Sequence, residues 1–169
     1  MSLLRRQSVP AVVRAVQLLP GDRRVAWSLT REGHPVVASI HGLTLPANPL
    51  LEWRLIEKAT WQRPELLVQA LAPDDGAVRV EGTGLLHRMM LVDGGSLPEV
   101  IRTKVTDSVG WSRHLQLPGE GGARVVGRRR RGWEVLDWQL VYDAGTDHSD
   151  PRVRAEAEQA LAAARRTVG

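Results

Sequence analysis

The 169-residue chain contains no cysteine. Disulfide bonds, thiolate nucleophiles and cysteine-held zinc or iron–sulfur sites are therefore excluded. Phenylalanine is also absent, and one tyrosine stands beside six tryptophans, so we expect tryptophan to fill the large core positions. Lys58 and Lys104 are the only lysines among 23 basic residues. Together with frequent Ala, Gly, Val, Pro and Arg, this scarcity is typical of a GC-rich genome and weakens any functional interpretation of single arginines.

Long apolar runs are missing as well. The longest uncharged stretch, residues 35–51, contains three prolines, and it is too short and too broken to cross a bilayer. The first 20 residues carry Arg5, Arg6 and Arg14 and lack the apolar segment of a signal peptide. We therefore predict a soluble, cytoplasmic protein without a membrane partner.

The positive charge of the chain is spread along its length. The formal net charge is +4, yet residues 76–150, which include the run of arginines, hold ten basic and ten acidic residues. A segregated basic patch is the usual mark of a nucleic-acid-binding protein, and this distribution does not supply one. Length and composition predict a single globular domain, residues 1–169.

The stretch from Val100 to Leu117 has the strongest pattern in the chain. One alternating face is mostly apolar, and the other is polar apart from Gly110. Two-residue alternation is typical of a half-buried β-strand. A straight strand of this length would extend roughly 56 Å at about 3.3 Å per residue, whereas a compact chain of this size is about 40 Å across. The predicted strand must therefore curl, or break at Gly110.

Most of the remaining chain has strand and turn signals. A hairpin is predicted over residues 24–43, with Glu32 and Gly33 in its turn. An earlier strand is predicted near residues 11–19. Further strands are predicted over residues 67–72, 77–82, 85–92, 123–130 and 133–142, with Asp74, Asp75 and Gly76 forming one of the turns between them.

Two segments favour helices. Asn48 and Pro49 resemble an N-cap followed by a proline in the first turn, which predicts a helix near residues 49–61; a strand is the competing interpretation. At the end of the chain, Asp150 can cap a helix over residues 151–167. Its apolar residues recur at helical spacing: Val153, Ala157, Leu161, Ala164 and Val168.

These elements predict the α+β class. We expect a mostly antiparallel, strongly curved sheet with the closing helix packed on one face. The alternative is a β-barrel of about eight strands with the helix outside it.

Two charges interrupt the apolar face of the predicted long strand. Asp107 and Arg113 are costly to bury without partners, and on one straight strand they lie about 20 Å apart. One interpretation is that they face a pocket together with Trp111, as residues that bind a ligand. The other is that Asp107 marks a bulge that shifts the register and turns Arg113 towards solvent.

The run Arg128, Arg129, Arg130 and Arg131 is the second candidate site. Such arginines can hold phosphates, and Trp133 adds an aromatic surface on which a nucleic-acid base can stack. Alternate residues of a strand point to opposite faces, however, so about two can act together. The competing interpretation is a solvated hairpin tip, or an edge strand protected by charge.

Signals for catalysis and for cofactors are absent. The five histidines form no spaced metal pair, and the glycine clusters at residues 82–84 and 119–122 do not open helices as phosphate loops do. No serine lies in a nucleophile elbow. No cofactor, metal or catalytic residue is predicted, although a histidine such as His114, or Asp107, can in principle act as a base.

The sequence therefore favours a non-enzymatic binding protein. Its expected ligand is a small apolar or anionic molecule on the concave face of the sheet, at Asp107, Trp111 and Arg113. The first alternative is a module for nucleic acid or an acidic partner at the arginine run. The second is an interaction protein that forms homodimers.

Overall fold

The bounds of the secondary structure come from a computed structural model that describes residues 8–71, 78–132 and 134–168. The helices are α1 (Ala11–Arg14), α2 (Leu97–Ser108) and α3 (Pro151–Val168), and a 3₁₀ turn covers Trp53–Leu55. The strands are β1 (Arg24–Leu29), β2 (Pro35–Ser39), β3 (Gly42–Leu45), β4 (Asn48–Glu52), β5 (Ile56–Gln62), β6 (Glu65–Ala70), β7 (Val78–Val80), β8 (Leu85–Met90), β9 (Val109–Gln116), β10 (Gly122–Arg129) and β11 (Leu136–Tyr142).

The strands form three sheets. Their orders are β1-β2-β3-β4, β5-β6-β8 and β7-β11-β10-β9, and every pairing is antiparallel except β7 with β11. The first two sheets and α2 share one apolar core, and the third sheet shares a second core with α3. The α+β class, the mostly antiparallel pairing and the C-terminal helix are thus as predicted.

The predicted long strand over residues 100–117 is wrong in its first half. Residues 97–108 form α2, and the strand is only β9. Leu97 and Ile101 are fully buried one turn apart, and Val105 packs against the same core a turn later, so the apolar residues recur at helical spacing. Pro98 suits the first turn of a helix. Because an eight-residue strand has no need to curl, the reason for strong curvature disappears; within the described residues no sheet is closed or strongly curled.

The predicted helix near residues 49–61 is also wrong. This segment forms β4, the 3₁₀ turn and β5. Leu51 pairs with Leu43, and Ile56 pairs with Ala70, so neighbouring strands satisfy backbone groups that a helix would satisfy internally. Between the two strands, buried Trp53 donates from its indole nitrogen to the Ser39 carbonyl at 3.1 Å. The competing strand interpretation holds for residues 48–52 and 56–62, whereas residues 53–55 form the 3₁₀ turn.

The start of the described chain differs as well. Residues 11–14 form the single helical turn α1 rather than a strand. Val13 is fully buried, and its carbonyl accepts a hydrogen bond from the Arg24 guanidinium at 3.0 Å. Pro10, which has no N–H to offer a strand ladder, precedes the turn.

The remaining predicted elements are mostly present. The hairpin of β1 and β2 turns at Gly33, whose φ of +86° is a conformation that glycine adopts without a steric cost. Alternation along β11 predicts an inward face of Leu136, Trp138, Leu140 and Tyr142; the last three are buried and Leu136 is half-buried. The apolar stripe of α3 is buried from Val153 to Ala164, and Val168 is exposed. The predicted turn at residues 74–76 lies outside the described residues.

Candidate functional site

Strand β10 carries two different surfaces because it lies between β9 and β11 in the middle of its sheet. Ala123 and Val125 belong to the core shared with α3. Alternation places Arg124, Val126 and Arg128 on the opposite face, which looks towards β5 and β6. This second face carries two buried polar side chains, those of Arg128 and Gln139.

Arg128 is buried with only 6% of its surface exposed. Its Nη1 donates to the hydroxyl of Ser108 at 3.1 Å, whereas its Nε has no hydrogen-bond partner. Burial lowers the pKa of this guanidinium; the charge of Glu57 opposes the shift, Arg79 adds to it and Asp137 also opposes it. Arginine nevertheless keeps its proton in proteins, so Arg128 is a buried cation with a free donor.

A cleft of about 340 Å³ opens beside Arg128, between β5 and β6 on one side and β7, β10 and β11 on the other; we call it the Arg128 cleft. Three cationic and three acidic side chains line it: Lys58, Arg124, Arg128, Glu57, Glu81 and Asp143. None of these six forms an ion pair within 4.0 Å with another of the six. The lining therefore presents charges of both signs that are not in direct contact with one another.

Two irregularities in strand pairing shape this cleft. The register of β5 against β6 shifts between Ile56 and Lys58, so that Glu57 is an extra residue. The register of β10 against β9 shifts between Gly127 and Arg128, opposite Gly110. A β-bulge redirects side chains locally; at β5 it lets the consecutive residues Glu57 and Lys58 both line the cleft.

The same face of the third sheet contains a second unpaired polar group. Gln139 pairs with Val126 across the strands and is 2% exposed. Its Oε1 atom has no hydrogen-bond partner. Buried polar atoms are nearly always paired in folded proteins, and this face carries two that are not, Arg128 Nε and Gln139 Oε1.

The rim of the cleft includes a histidine–carboxylate pair. His114 Nε2 lies 2.7 Å from Asp143 Oδ2, and both groups are partly open to solvent. Among the described residues, no group of three His, Asp or Glu side chains is close enough to hold a metal ion. His148 stacks on Tyr142, with ring centres 5.5 Å apart.

The sequence-predicted ligand residues are only partly brought together. Trp111 and Arg113 lie on β9 and line a separate cavity of about 170 Å³ against α3. Trp111 also meets Trp138 edge-on at 5.5 Å. Asp107 lies on α2, exposed, and does not line that cavity. Its backbone carbonyl accepts a hydrogen bond from Arg129 at 2.7 Å.

The structure separates the four arginines. Arg128 is buried, so the interpretation of the run as a wholly solvated tip is wrong for this residue. Arg129 points the other way, and its Nη1 donates to the carbonyls of Asp107 and Val109. Arg130 and Arg131 are exposed beyond the strand. Trp133, the predicted stacking residue, lies outside the described residues.

Sequence reasoning missed Arg128 as a buried site residue and missed its neighbours Glu57 and Glu81. One signal was available: Val125, Val126 and Gly127 are consecutive uncharged, small or apolar residues, which is typical of a strand buried on both faces. The residue that follows such a run can still be buried. No comparable signal marks Glu57 and Glu81, because their position depends on how separate strands meet.

Comparison with known proteins adds no relative: no family model, no curated protein and no solved structure matches this chain. Within the part of the chain that the structure describes, no helix is long and apolar enough to cross a membrane. The Arg128 cleft and the Trp111 cavity are therefore interpreted from their own geometry and charge.

Proposed function

We propose that this protein binds a small anionic molecule in the Arg128 cleft and does not convert it chemically. The observation that carries the proposal is the buried guanidinium of Arg128 with an unpaired Nε donor. An isolated buried charge costs several kcal/mol, which a hydrogen-bonded counter-charge offsets. A carboxylate or phosphate group bound in the cleft that Arg128 lines supplies this counter-charge, together with oxygens that accept hydrogen bonds from a guanidinium.

The size of the cleft supports a small ligand. Its volume of about 340 Å³ lies near the lower end of the range for small-molecule pockets, about 300–1,000 Å³. Two further cationic side chains, Arg124 and Lys58, also line the cleft. Because both are exposed, they can attract an anion towards Arg128.

Isothermal titration calorimetry tests the proposal, with inorganic phosphate and butyrate as probes. The unmodified protein should bind at least one of them. Arg128→Met should bind that probe at least tenfold more weakly, because the donor and the charge are lost. Arg131→Met removes an exposed arginine of the same run and should leave binding unchanged.

Two further readouts keep this test decisive. Arg128→Lys keeps the charge and loses the planar donor group, so we expect intermediate or weak binding. Circular dichroism shows whether each variant is folded. Binding of neither probe by the unmodified protein, or unchanged binding by folded Arg128→Met, contradicts the proposal.

We propose a second ligand position at Trp111 and Arg113. The cavity there, about 170 Å³, is close to an apolar cavity of about 150 Å³ that holds benzene. Ala160 and Ala164 supply an apolar wall, and Arg113 supplies a cation. A small aromatic carboxylate such as benzoate fits this chemistry, and Arg113→Gln should remove any rise in melting temperature that benzoate causes.

The nucleic-acid and homodimer alternatives stay predictions. A nucleic-acid backbone cannot reach Arg128 as it reaches an exposed arginine, so that function would depend on Arg130 and Arg131. Binding of a labelled oligonucleotide over a series of salt concentrations, with Arg130→Ser/Arg131→Ser as the variant, tests it. Light scattering at two protein concentrations tests the homodimer.

A further inference from the structure

We infer that the ligand of the Arg128 cleft is zwitterionic and carries a cationic group a few atoms away from its anionic group. This inference rests on the proposed function. Its basis is the juxtaposition of three cationic and three acidic side chains around one small cleft. A simple anion would gain from the cations and be repelled by the carboxylates, whereas a zwitterion meets opposite charge on both sides.

The unpaired state of these charges is the first supporting observation. Oppositely charged side chains that only stabilise a fold lie in contact, as Arg54 does with Glu52 at 2.9 Å and with Asp137 at 2.8 Å. The six charged side chains of the cleft make no such contacts with one another. Asp143 pairs with His114 at the rim, so the cleft keeps the other five charges, of both signs, available to a ligand.

The arrangement of the walls is the second supporting observation. Glu57 lies on β5, and the peptide N–H of Gly82 approaches its Oε1 at 3.4 Å. This contact brings the turn that carries Glu81 next to Glu57. Arg124 and Arg128 lie on β10 in the third sheet. Glu57 in the second sheet therefore faces two guanidiniums of the third sheet across the cleft, whereas Glu81 follows β7 at the edge of that third sheet. The cleft thus offers charges of both signs to a ligand with two charged ends.

The bulge in β5 is the third supporting observation. In a regular strand, Glu57 and Lys58 would point to opposite faces. The extra residue lets both line the cleft. Bulges occur preferentially next to functional sites, where they redirect a side chain. Here the bulge puts an acid beside the buried cation of the facing sheet.

Two isosteric pairs of probes test the inference by calorimetry on the full chain at pH 7. Phosphoethanolamine is compared with propyl phosphate, and β-alanine with butyrate. Within each pair, an ammonium group replaces a methyl group while the anion stays the same. We expect the zwitterion of at least one pair to bind at least tenfold more tightly than its partner.

Substitutions of Glu57 and Glu81 test whether these two carboxylates cause the preference for the zwitterion. Glu57→Gln and Glu81→Gln should reduce the preference by at least threefold each, and neither should weaken binding of propyl phosphate or butyrate. Glu156→Gln, on an exposed position of α3, is the matched control and should change nothing. Folding of each variant is checked by its melting curve.

The outcomes separate this inference from the proposed function. Equal affinity within both pairs overturns the zwitterion inference and leaves anion binding in place. A preference that survives both glutamate substitutions also overturns it. Binding of none of the four probes overturns the proposed function and the inference together.

Discussion

Ser108 and Arg128 join the end of α2 to the middle of the third sheet. The Ser108 hydroxyl accepts a hydrogen bond from Arg128 Nη1 at 3.1 Å and donates its own proton to the Val105 carbonyl at 2.6 Å. Both side chains belong to buried residues. Within residues 8–71, 78–132 and 134–168, the Ser108 hydroxyl is the one hydrogen-bond partner found for the Arg128 guanidinium.

Ser108→Ala should lower the free energy of unfolding by about 1–3 kcal/mol, the cost of leaving a buried donor unpaired. Urea denaturation measures the change. In the Arg128→Met background the same substitution should cost clearly less, since the donor is already gone. Equal losses in the two backgrounds would show that the hydrogen bond contributes nothing.

Arg54 forms ion pairs with Glu52 on β4 and with Asp137 on β11, and its side chain is 15% exposed. It therefore links the first core to the second. Arg54→Gln should lower the free energy of unfolding by about 1–2 kcal/mol, because a partly buried carboxylate loses its charged partner. Arg102→Gln breaks the exposed pair with Glu99 and serves as the control, with an expected loss below about 0.5 kcal/mol.

The stability of this protein should fall in acid through Asp22. Burial raises the pKa of Asp22, but hydrogen bonds from Ser39 and the backbone N–H of Arg23, the charge of His41 and the His41 backbone N–H lower it, and the net pKa is below its ordinary value. The unfolded chain therefore binds a proton at higher pH than the folded one.

This contribution to stability is complete well above about pH 3.9, the ordinary value, and is lost as the pH falls through the lower folded value. Asp22→Asn should therefore weaken the dependence of the free energy of unfolding on pH between about pH 5 and 3. Urea denaturation at several pH values measures it. An unchanged slope in the variant would count against a role for this carboxylate.

Gln139→Leu should leave the melting temperature unchanged or raise it. The side chain of Gln139 is buried, and its Oε1 has no partner, so an apolar group of similar size removes an unpaired polar atom. Gln69→Leu is the contrasting variant, because Gln69 Nε2 donates to the Gly84 carbonyl. We expect that variant to be destabilised; a larger loss at Gln139 than at Gln69 would mean that Gln139 is satisfied in solution.

Local sequence pattern predicted the secondary structure correctly where the residues of one element determine its conformation. The hairpin turn at Gly33, the inward face of β11 and the stripe of α3 each depend on neighbouring residues, and all three are present. The segment over residues 97–108 failed because its apolar residues fit both a two-residue and a helical period. Leu97 and Ile101 are both buried against the first core, and this packing selects the helical period.

In the candidate site, too, some features follow from local sequence pattern and others depend on how separate strands pack. Arg128 was noticed in the sequence as one member of a charged run, yet its burial depends on distant parts of the chain, among them Ser108 of α2 and the strands β5 and β6 that line the cleft beside it. Glu57 and Glu81 reach it through a bulge and a turn that no short-range pattern predicts. Trp111 and Arg113 line one cavity because alternate residues of one strand share a face; that they bind a ligand stays a prediction.

The sequence by itself determined the α+β class, the closing helix and the exclusion of cysteine chemistry, since these follow from composition and from periodicities of two and 3.6 residues. Only the tertiary structure decided which arginine of the run is buried and which acids surround it. The reason is physical: burial of a charge depends on contacts between segments far apart in the chain, and those contacts are set by the packing of one sheet against another.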